Sequence, residues 1–320
     1  MKNYFYLYLL TVLIAACHPV SGVPTEKIFA ISRSEFEELK LSYYSDYFSF
    51  VGEDKKGKVA FALDNNRGQD GDTFQAEHFV CLHEEKKGWI KMRGSGIHPN
   101  PKKELDRIPD TDFFQFTGTP ETGIRIQSGV NSLELAVSPI PRVLAHQKGL
   151  ASYWLGSSSA TLEWAGRKIQ GRVIYEYLFL PAFNRITRRY VDLWEDFHGI
   201  YAVVDGVGDF YIHHQRSQLM EPLIGSTEGF FVWNGVAQTL ERPAMIVLSK
   251  TLGLGFFRWP ASWKGNFQIL STPYQFTAEL SERMNVTTWM IGGFAMGIVK
   301  GVIRQGDKVF HLYGLGELLI

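Results

Sequence analysis

The sequence has few cysteines and no excess of charge. Two cysteines, Cys17 and Cys81, stand among 320 residues, too few for the disulfide framework of a small secreted domain. Lysine plus arginine and aspartate plus glutamate both number 33, so there is no basic field to attract nucleic acid, and we expect no nucleic-acid partner. An apolar core must therefore stabilise the protein. Cys81 lies in an apolar strand-like run, which predicts a buried, inert thiol.

The familiar catalytic and cofactor motifs are also missing. The sequence has no HExxH zinc motif, and the run GSTEG at 225–229 lacks the G-x-S-x-G order. The run LGLG around Gly253 is neither a P-loop nor a dinucleotide fingerprint. His213 and His214 are adjacent, so in a strand they point to opposite faces and cannot share a metal ion. We expect neither a metal nor a cofactor.

No long segment keeps a helical period. The run SRSEFEELK at 32–40 predicts one brief helix, with Ser32 or Ser34 as its cap. The apolar run at 287–299 is short and rich in glycine, which favours a bent strand over a membrane helix. Short apolar segments recur between turn signals, and 14% of the residues are aromatic. The pattern predicts an all-β protein built as sandwiches or barrels.

The first residues are typical of an export signal. Lys2 precedes an apolar run that ends in small residues before Cys17, so residues 1–16 are interpreted as a signal peptide. The run IAAC resembles a bacterial lipobox, which predicts lipidation of Cys17 and a tether at 17–31. His18 follows, rather than aspartate, which points to the periplasmic face of the outer membrane in a Gram-negative cell envelope. The alternative is an ordinary signal peptide that is cut near PVSG.

The chain is long enough for two domains. Near residues 139–158 the sequence becomes rich in proline, glycine and serine, which is typical of a crossing between domains. We therefore predict a first domain at 32–150 and a second at 151–320.

Two stretches carry a resemblance to a known family. YYSDYFSFVGEDKKGKVAFALDNNR at 43–67 has an aromatic strand, a polar hairpin and a second apolar strand. GLASYWLGSSSATLEWAGRKIQGRVIYEYL at 149–178 has a small-residue run, a strand, a glycine turn and a strand with a carboxylate. Both resemble the tandem lipocalin-like proteins, which include the carotenoid hydratase (hydroxyneurosporene synthase) group and AttH-like proteins. The resemblance implies two β-barrels packed together, few short helices, and an apolar ligand in or between the barrels.

The hairpin YVDLWEDFHGIYAVVDGVGDFYIHHQR at 190–216 contains the candidate site. Ionisable and aromatic residues recur at every second position, so each strand would carry them on one face. We predict that both sets share one face of the hairpin and that a dry cavity raises the pKa of a carboxyl toward neutrality, as a general acid requires. The candidate catalytic residues are Asp192, Asp196, His213 and Glu176, and the candidate ligand-binding residues are Trp194, His198, Tyr201, Asp209 and Tyr211.

The same pattern has a structural interpretation. Nearby arginines, among them Arg172, Arg188, Arg189 and Arg216, would neutralise these acids across strands on a solvated face. Three functions therefore stay open. The protein binds or transports a hydrophobic small molecule, or it is a cofactor-free hydratase, isomerase or cyclase, or it is a structural periplasmic lipoprotein.

Overall fold

The computed structural model describes the following ranges: 41–70, 73–99, 108–148, 151–181, 196–216, 226–252, 258–287 and 293–319. Within them the chain forms strands, turns and loops, without a helix. The described part of the chain includes no helix whose length and hydropathy would let it cross a membrane. Several predictions fall outside these ranges: the signal peptide at 1–16, the tether with Cys17, the helix at 32–40, and Asp192 and Trp194.

The strands form two antiparallel sheets. The strands of the first sheet are β1 (Leu41–Asp54), β2 (Gly57–Asp70), β3 (Thr73–Glu84), β4 (Gly88–Ile90), β5 (Gly96–Pro99), β6 (Gln115–Thr119), β7 (Gly123–Ser128), β8 (Leu133–Val137), β9 (Leu144–Lys148), β10 (Ala151–Trp164) and β11 (Arg167–Pro181). The strands of the second sheet are β12 (Asp196–Val204), β13 (Gly208–Arg216), β14 (Thr227–Trp233), β15 (Val236–Thr239), β16 (Glu241–Leu252), β17 (Arg258–Ile269), β18 (Thr272–Thr287), β19 (Gly293–Gln305) and β20 (Lys308–Leu319).

Both sheets close in the same way, with the first strand beside the last. The first sheet runs β4-β3-β2-β1-β11-β10-β8-β7-β6, with β5 beside β3 and β9 beside β10, and the second runs β15-β14-β13-β12-β20-β19-β18-β17-β16. In each, the first strand lies between the second strand and the last. Each sheet curls around its own apolar interior, and residues near the two edges of the first meet, since Phe116 of β6 contacts the ring of His78 on β3. The predicted all-β fold of two tandem barrels is confirmed.

The division between the sheets lies later in the chain than the predicted domain boundary at 150/151. β10 begins at Ala151 but pairs with β9, with Ala151 opposite Lys148. β11 then pairs with β1 along nearly its whole length and brings the chain back to its first strand. The first sheet therefore ends at Pro181, and the second begins at Asp196. The proline- and serine-rich segment 139–158 contributes β9 and the start of β10 to the first barrel.

Strand alternation gives each barrel an inner and an outer face, and both are buried over large areas. The interior of the first barrel contains Phe48, Phe50, Phe61, Leu63 and Leu135. The interior of the second contains Phe210, Phe231, Trp263, Phe267 and Phe276. A third cluster joins the outer faces of both barrels, and its members include Tyr47, Ala62, Cys81, Tyr153, Tyr201, Tyr211, Met296 and Leu315.

Cys81 lies in this third cluster, which we call the inter-barrel surface. Its side chain is buried, and its sulfur lies 3.4 Å from the sulfur of Met296 in the other barrel. Burial raises the pKa of the Cys81 thiol, so the thiol stays protonated. This agrees with the prediction of a buried, inert cysteine.

Candidate active site between the barrels

Glu176 lies at the centre of the inter-barrel surface. It extends from β11 of the first barrel toward two tyrosines of the second. The Tyr201 hydroxyl donates to Glu176 Oε2 at 2.7 Å, and the Tyr211 hydroxyl lies 3.3 Å from the same oxygen. The hydroxyl of Tyr153, from β10, lies 3.1 Å from that of Tyr211. Strand register explains the convergence, because Tyr201 and Tyr211 are directly opposite each other on β12 and β13.

Two more carboxyl groups belong to the same surface. Glu317, on β20, has Oε2 3.3 Å from the Tyr201 hydroxyl. Asp64, on β2, accepts hydrogen bonds from Ser45 at 3.1 Å and from the amide of Asn66 at 2.7 Å. Glu317 and Asp64 are both buried. The site therefore combines three carboxyl groups with several phenols in an environment that excludes most water.

Burial changes the proton affinity of all three carboxyl groups. Burial raises the pKa of Glu176 to about 7, while hydrogen bonds from Tyr201, Tyr211 and Tyr153 oppose the rise. Burial likewise raises the pKa of Asp64 to about 7. The pKa of Glu317 is raised well above its ordinary range, first by burial and then by the nearby charges of Glu176 and Asp64. A carboxyl group that is protonated near neutral pH can act as a general acid.

The tyrosine protons determine which carboxyl group donates. Burial raises the pKa values of Tyr201 and Tyr211 well above 10, so both stay neutral, with one proton each. Tyr201 directs its proton to the nearer Glu176. The phenol has one proton for two carboxyl groups. A protonated Glu317, which its raised pKa favours, can make the second contact with its own proton. Tyr201 then lies between a carboxyl group that holds a proton and a carboxyl group that accepts a hydrogen bond.

His213 faces the same surface without a polar partner. It is fully buried, and among the described residues neither of its ring nitrogens has a hydrogen bond. Burial lowers the pKa of His213 to about 3, so the ring is neutral. It stacks on Phe197 at 5.8 Å between ring centroids and meets Tyr153 at 6.2 Å. The hydroxyl of Tyr47 and the side-chain amide of Gln215 also lack partners within the described residues. Buried polar groups of this kind are where a bound ligand or water would be held.

The predicted single face of the 190–216 hairpin is wrong. Antiparallel pairing places Asp196 opposite Arg216 and His198 opposite His214, so even-numbered residues share one face and odd-numbered residues share the other. His198 therefore lies on the inner side of the second barrel, where its ring is 6.3 Å from that of Trp263. The backbone of Asp196 lies on β12, but its side chain is outside the described part. The odd-numbered face, with Tyr201, Tyr211 and His213, is the one that meets Glu176.

Asp209 lies on the odd-numbered face but has a structural partner. Its carboxylate, fully buried, accepts two hydrogen bonds from Arg172 Nε at 3.0 Å and one from Arg172 Nη2 at 2.6 Å. This is the arginine–carboxylate pair of the structural alternative. It joins β13 to β11 and so ties the two barrels together.

Sequence reasoning missed Asp64, Glu317, Tyr47 and Tyr153. A signal existed for the two acids, since each is the sole acidic or basic residue in an apolar stretch, VAFALD and YGLGELLI. A lone acid among buried residues is rare without a partner or a function. Their meeting with Glu176 depends on how the two barrels dock, which strand patterns do not specify.

Comparisons with known proteins support the fold. No family model and no curated protein matches the sequence. Kievitone hydratase from Nectria haematococca superposes with a TM-score of 0.58 at 9% identity, over 93% of this chain and 96% of that one. An AttH-type protein from Nitrosomonas europaea superposes with a TM-score of 0.57 at 11% identity, over 94% of this chain and 98% of that one. CghA in complex with Sch210972 superposes with a TM-score of 0.56 at 9% identity, over 88% of each chain. The chain therefore has the tandem lipocalin-like fold of these proteins, as the resemblance in its sequence predicted.

Proposed function

We propose that the protein is a cofactor-free hydratase that adds water to a carbon–carbon double bond of an apolar small molecule held between the barrels. The observation that carries the proposal is the position of the Tyr201 hydroxyl, 2.7 Å from Glu176 Oε2 and 3.3 Å from Glu317 Oε2. Hydration needs both an acid and a base. We assign Glu317 as the acid and Glu176 as the base on either side of this phenol.

The proposed reaction adds a proton to one carbon of the double bond and a hydroxyl group to the other. The Glu317 carboxyl transfers its proton to one alkene carbon, and the electrons of the double bond form the new C–H bond. The other carbon becomes cationic, and the π-faces of the surrounding tyrosines stabilise it. A water molecule then forms the C–O bond and passes a proton to Glu176. Tyr201 then accepts the proton of Glu176 and donates its own proton to Glu317, which restores both carboxyl groups. The reverse sequence eliminates water.

One of the structural neighbours supports this choice among cofactor-free reactions. Kievitone hydratase is by name a hydratase, and it shares this chain's two-barrel fold at 9% identity. That likeness concerns the fold. The choice of hydration for this chain rests on its own acid–base pair.

The test is incorporation of ¹⁸O from labelled water into a panel of apolar isoprenoid alkenes, followed by mass spectrometry. We expect Glu317→Gln and Glu176→Gln each to reduce incorporation by roughly 10²- to 10⁴-fold, the usual contribution of a general acid or base. Glu163→Gln is the matched control, because Glu163 is exposed on the first barrel and pairs with Lys168 at 3.8 Å. Incorporation that survives both site substitutions would exclude this mechanism.

A binding or transport function is the second candidate, and the apolar character of the inter-barrel surface favours it. Tyr47, Phe197 and Leu315 are buried there beside the polar cluster. Native mass spectrometry of protein from its own host separates the two candidates. A co-purifying molecule that incorporates no ¹⁸O would favour binding alone, whereas a hydrated product in the complex would favour the hydratase.

We also propose that the protein is exported and anchored to a membrane through lipid on Cys17. The apolar run before Cys17 and the IAAC sequence support this. Two acyl signals on one cysteine are enough for stable anchoring. Cys17→Ser should therefore move the protein from the membrane fraction to the soluble periplasmic fraction. A wild-type protein that already fractionates as soluble would contradict the anchor.

A further inference from the structure

The first barrel contains a chamber that the proposed hydration does not use. Its volume is about 600 Å³, within the range of small-molecule sites. Strands β1, β6, β7, β9, β10 and β11 supply its lining, which includes Asp46, Phe116, Arg142, Trp154, Tyr175 and Tyr177. Most of these side chains point to the inside of the first barrel, whereas Glu176 points outward between the barrels. Tyr153 forms the wall between the two spaces.

A buried ion pair is built into the chamber wall. Asp46 lies 2.6 Å from Arg67, and the side chains of Asp46 and Arg67 are 6% and 0% exposed. Arg67 also donates to the side-chain oxygen of Asn65 at 2.7 Å, and the hydroxyl of Tyr175 donates to Asp46. Burying such a pair is costly, and apolar residues of equal volume often stabilise a protein as well or better. Asp46 lines the chamber, so its carboxylate can accept a hydrogen bond from a molecule inside.

Aromatic rings form part of the remaining lining, and Arg142 and Glu121 at the rim form an ion pair. The rings of Trp154 and Tyr175 lie 4.8 Å apart, and Tyr177 is 6.3 Å from Trp154. At the rim, the guanidinium of Arg142 lies 4.8 Å from the Trp154 ring and pairs with Glu121 at 3.1 Å. Flat aromatic walls favour a flat unsaturated ring by stacking.

We propose that this chamber binds an uncharged aromatic molecule that carries a hydroxyl donor, independently of the site between the barrels. The aromatic walls select the ring, and Asp46 accepts the hydroxyl proton. Asp46 is paired with Arg67, and Arg142 with Glu121. An ionic ligand would therefore bring a charge without a partner into the chamber, which is costly. These balanced pairs favour a neutral phenol-like molecule.

The test is isothermal titration calorimetry of the full protein with three probes of one size: 2-naphthol, 2-methoxynaphthalene and 2-naphthoate. We expect 2-naphthol to bind, and the two others to bind at least roughly tenfold more weakly, because one lacks the donor and the other is an anion. Equal affinity of 2-naphthol and 2-methoxynaphthalene, tighter binding of 2-naphthoate, or no binding of 2-naphthol would overturn the proposal.

Substitutions locate the bound probe. Ala145 is exposed, lines the chamber and lies opposite Trp154 on the paired strand, so Ala145→Trp should fill the chamber and abolish 2-naphthol binding. Thr119→Trp, at another exposed position of the lining, is the second filling variant. Ala237→Trp is the matched control on an exposed strand of the other barrel and should change nothing.

One further variant separates this chamber from the hydration site. Glu176→Gln alters the inter-barrel cluster and should leave the affinity for 2-naphthol unchanged. Loss of 2-naphthol binding in Glu176→Gln, or its persistence in both filling variants, would place the probe outside the chamber and overturn the proposal. Circular dichroism checks that each variant keeps its β-structure.

Discussion

The two barrels have the same strand order but different interiors. In the second barrel, the aromatic rings of Phe210, Phe231, Trp263, Phe267 and Tyr274 fill the inside. The rings of Phe210, Phe231, Phe267 and Tyr274 contact one another at centroid distances of 5.2–6.2 Å. In the first barrel, the inside holds the Asp46–Arg67 ion pair and a chamber of about 600 Å³. A shared fold therefore does not determine what a barrel contains.

The surface between the barrels differs from both interiors. It collects the carboxyl groups with raised pKa values, which neither barrel could hold alone without a partner. The packed second barrel supplies Tyr201, Tyr211 and Glu317 from its outer face, and a solid interior behind these residues fixes their positions. The first barrel supplies Glu176 and Asp64. In the second barrel, the inner face of the strands is packed and rigid, and the outer face of the same strands contributes the residues of the candidate site.

The largest effect should come from emptying the packed interior. Trp263→Ala removes a fully buried ring from the second barrel and should lower the free energy of unfolding by roughly 3–5 kcal/mol. Trp154→Ala, at the chamber wall, should cost roughly 2 kcal/mol, because water already has access and no empty cavity remains. Chemical denaturation measures both. Equal losses would show that the first barrel is packed as tightly as the second.

The ion pair in the first barrel provides a second test. Arg67→Met leaves the buried Asp46 carboxylate without its cation and should cost about 3 kcal/mol. Adding Asp46→Leu removes the unpaired charge and should restore most of the loss. Urea unfolding of the single and double variants checks this. A double variant as unstable as the single one would mean that the pair itself stabilises the barrel.

Much of this fold could be predicted from the sequence. Alternating apolar residues and turn signals gave the strands, because local sequence determines both. Gly208 follows the turn between β12 and β13, and a side chain there would place its Cβ 1.9 Å from the carbonyl oxygen of Val232. The domain boundary was misplaced because a proline- and serine-rich composition occurs in strands and loops within a barrel as well as in linkers.

The candidate site was harder to predict. Glu176, Tyr201, Tyr211 and His213 do lie together, but they had been grouped with residues of the opposite face. That error arose because the pairing register of the 190–216 hairpin depends on which residues form its turn, and a shift of one residue exchanges the two faces. Asp64 and Glu317 are 253 positions apart in the numbered chain, so their meeting is a property of the docked barrels.

The inter-barrel carboxyl groups should make stability depend on pH. Burial raises the pKa of Asp64 from 3.8 to about 7, so the folded protein keeps a proton that the unfolded chain releases. The contribution of Asp64 to stability should therefore be fully present below about pH 4 and be lost as the pH rises to about 7. Asp64→Asn removes this contribution and should gain roughly 4 kcal/mol relative to wild type between pH 4 and pH 8. Asp205→Asn, at an exposed site, is the control. Parallel stability curves for wild type and Asp64→Asn would contradict a shifted Asp64.

The smallest effects on stability should come from the two ion pairs that connect the barrels. The loss should be larger for the buried pair than for the exposed one. Lys58 pairs with Asp205 at 2.9 Å, where the side chains of Lys58 and Asp205 are 21% and 52% exposed. Lys58→Met should therefore cost less than about 1 kcal/mol, because solvent screens the pair. Arg172→Met leaves the fully buried Asp209 without its bidentate partner and should cost about 2 kcal/mol, with little dependence on salt. Thermal unfolding at low and high ionic strength distinguishes the two pairs. If both substitutions had equal and salt-sensitive effects, Asp209 would be solvated, and the surface between the barrels would be wetter than the two interiors it separates.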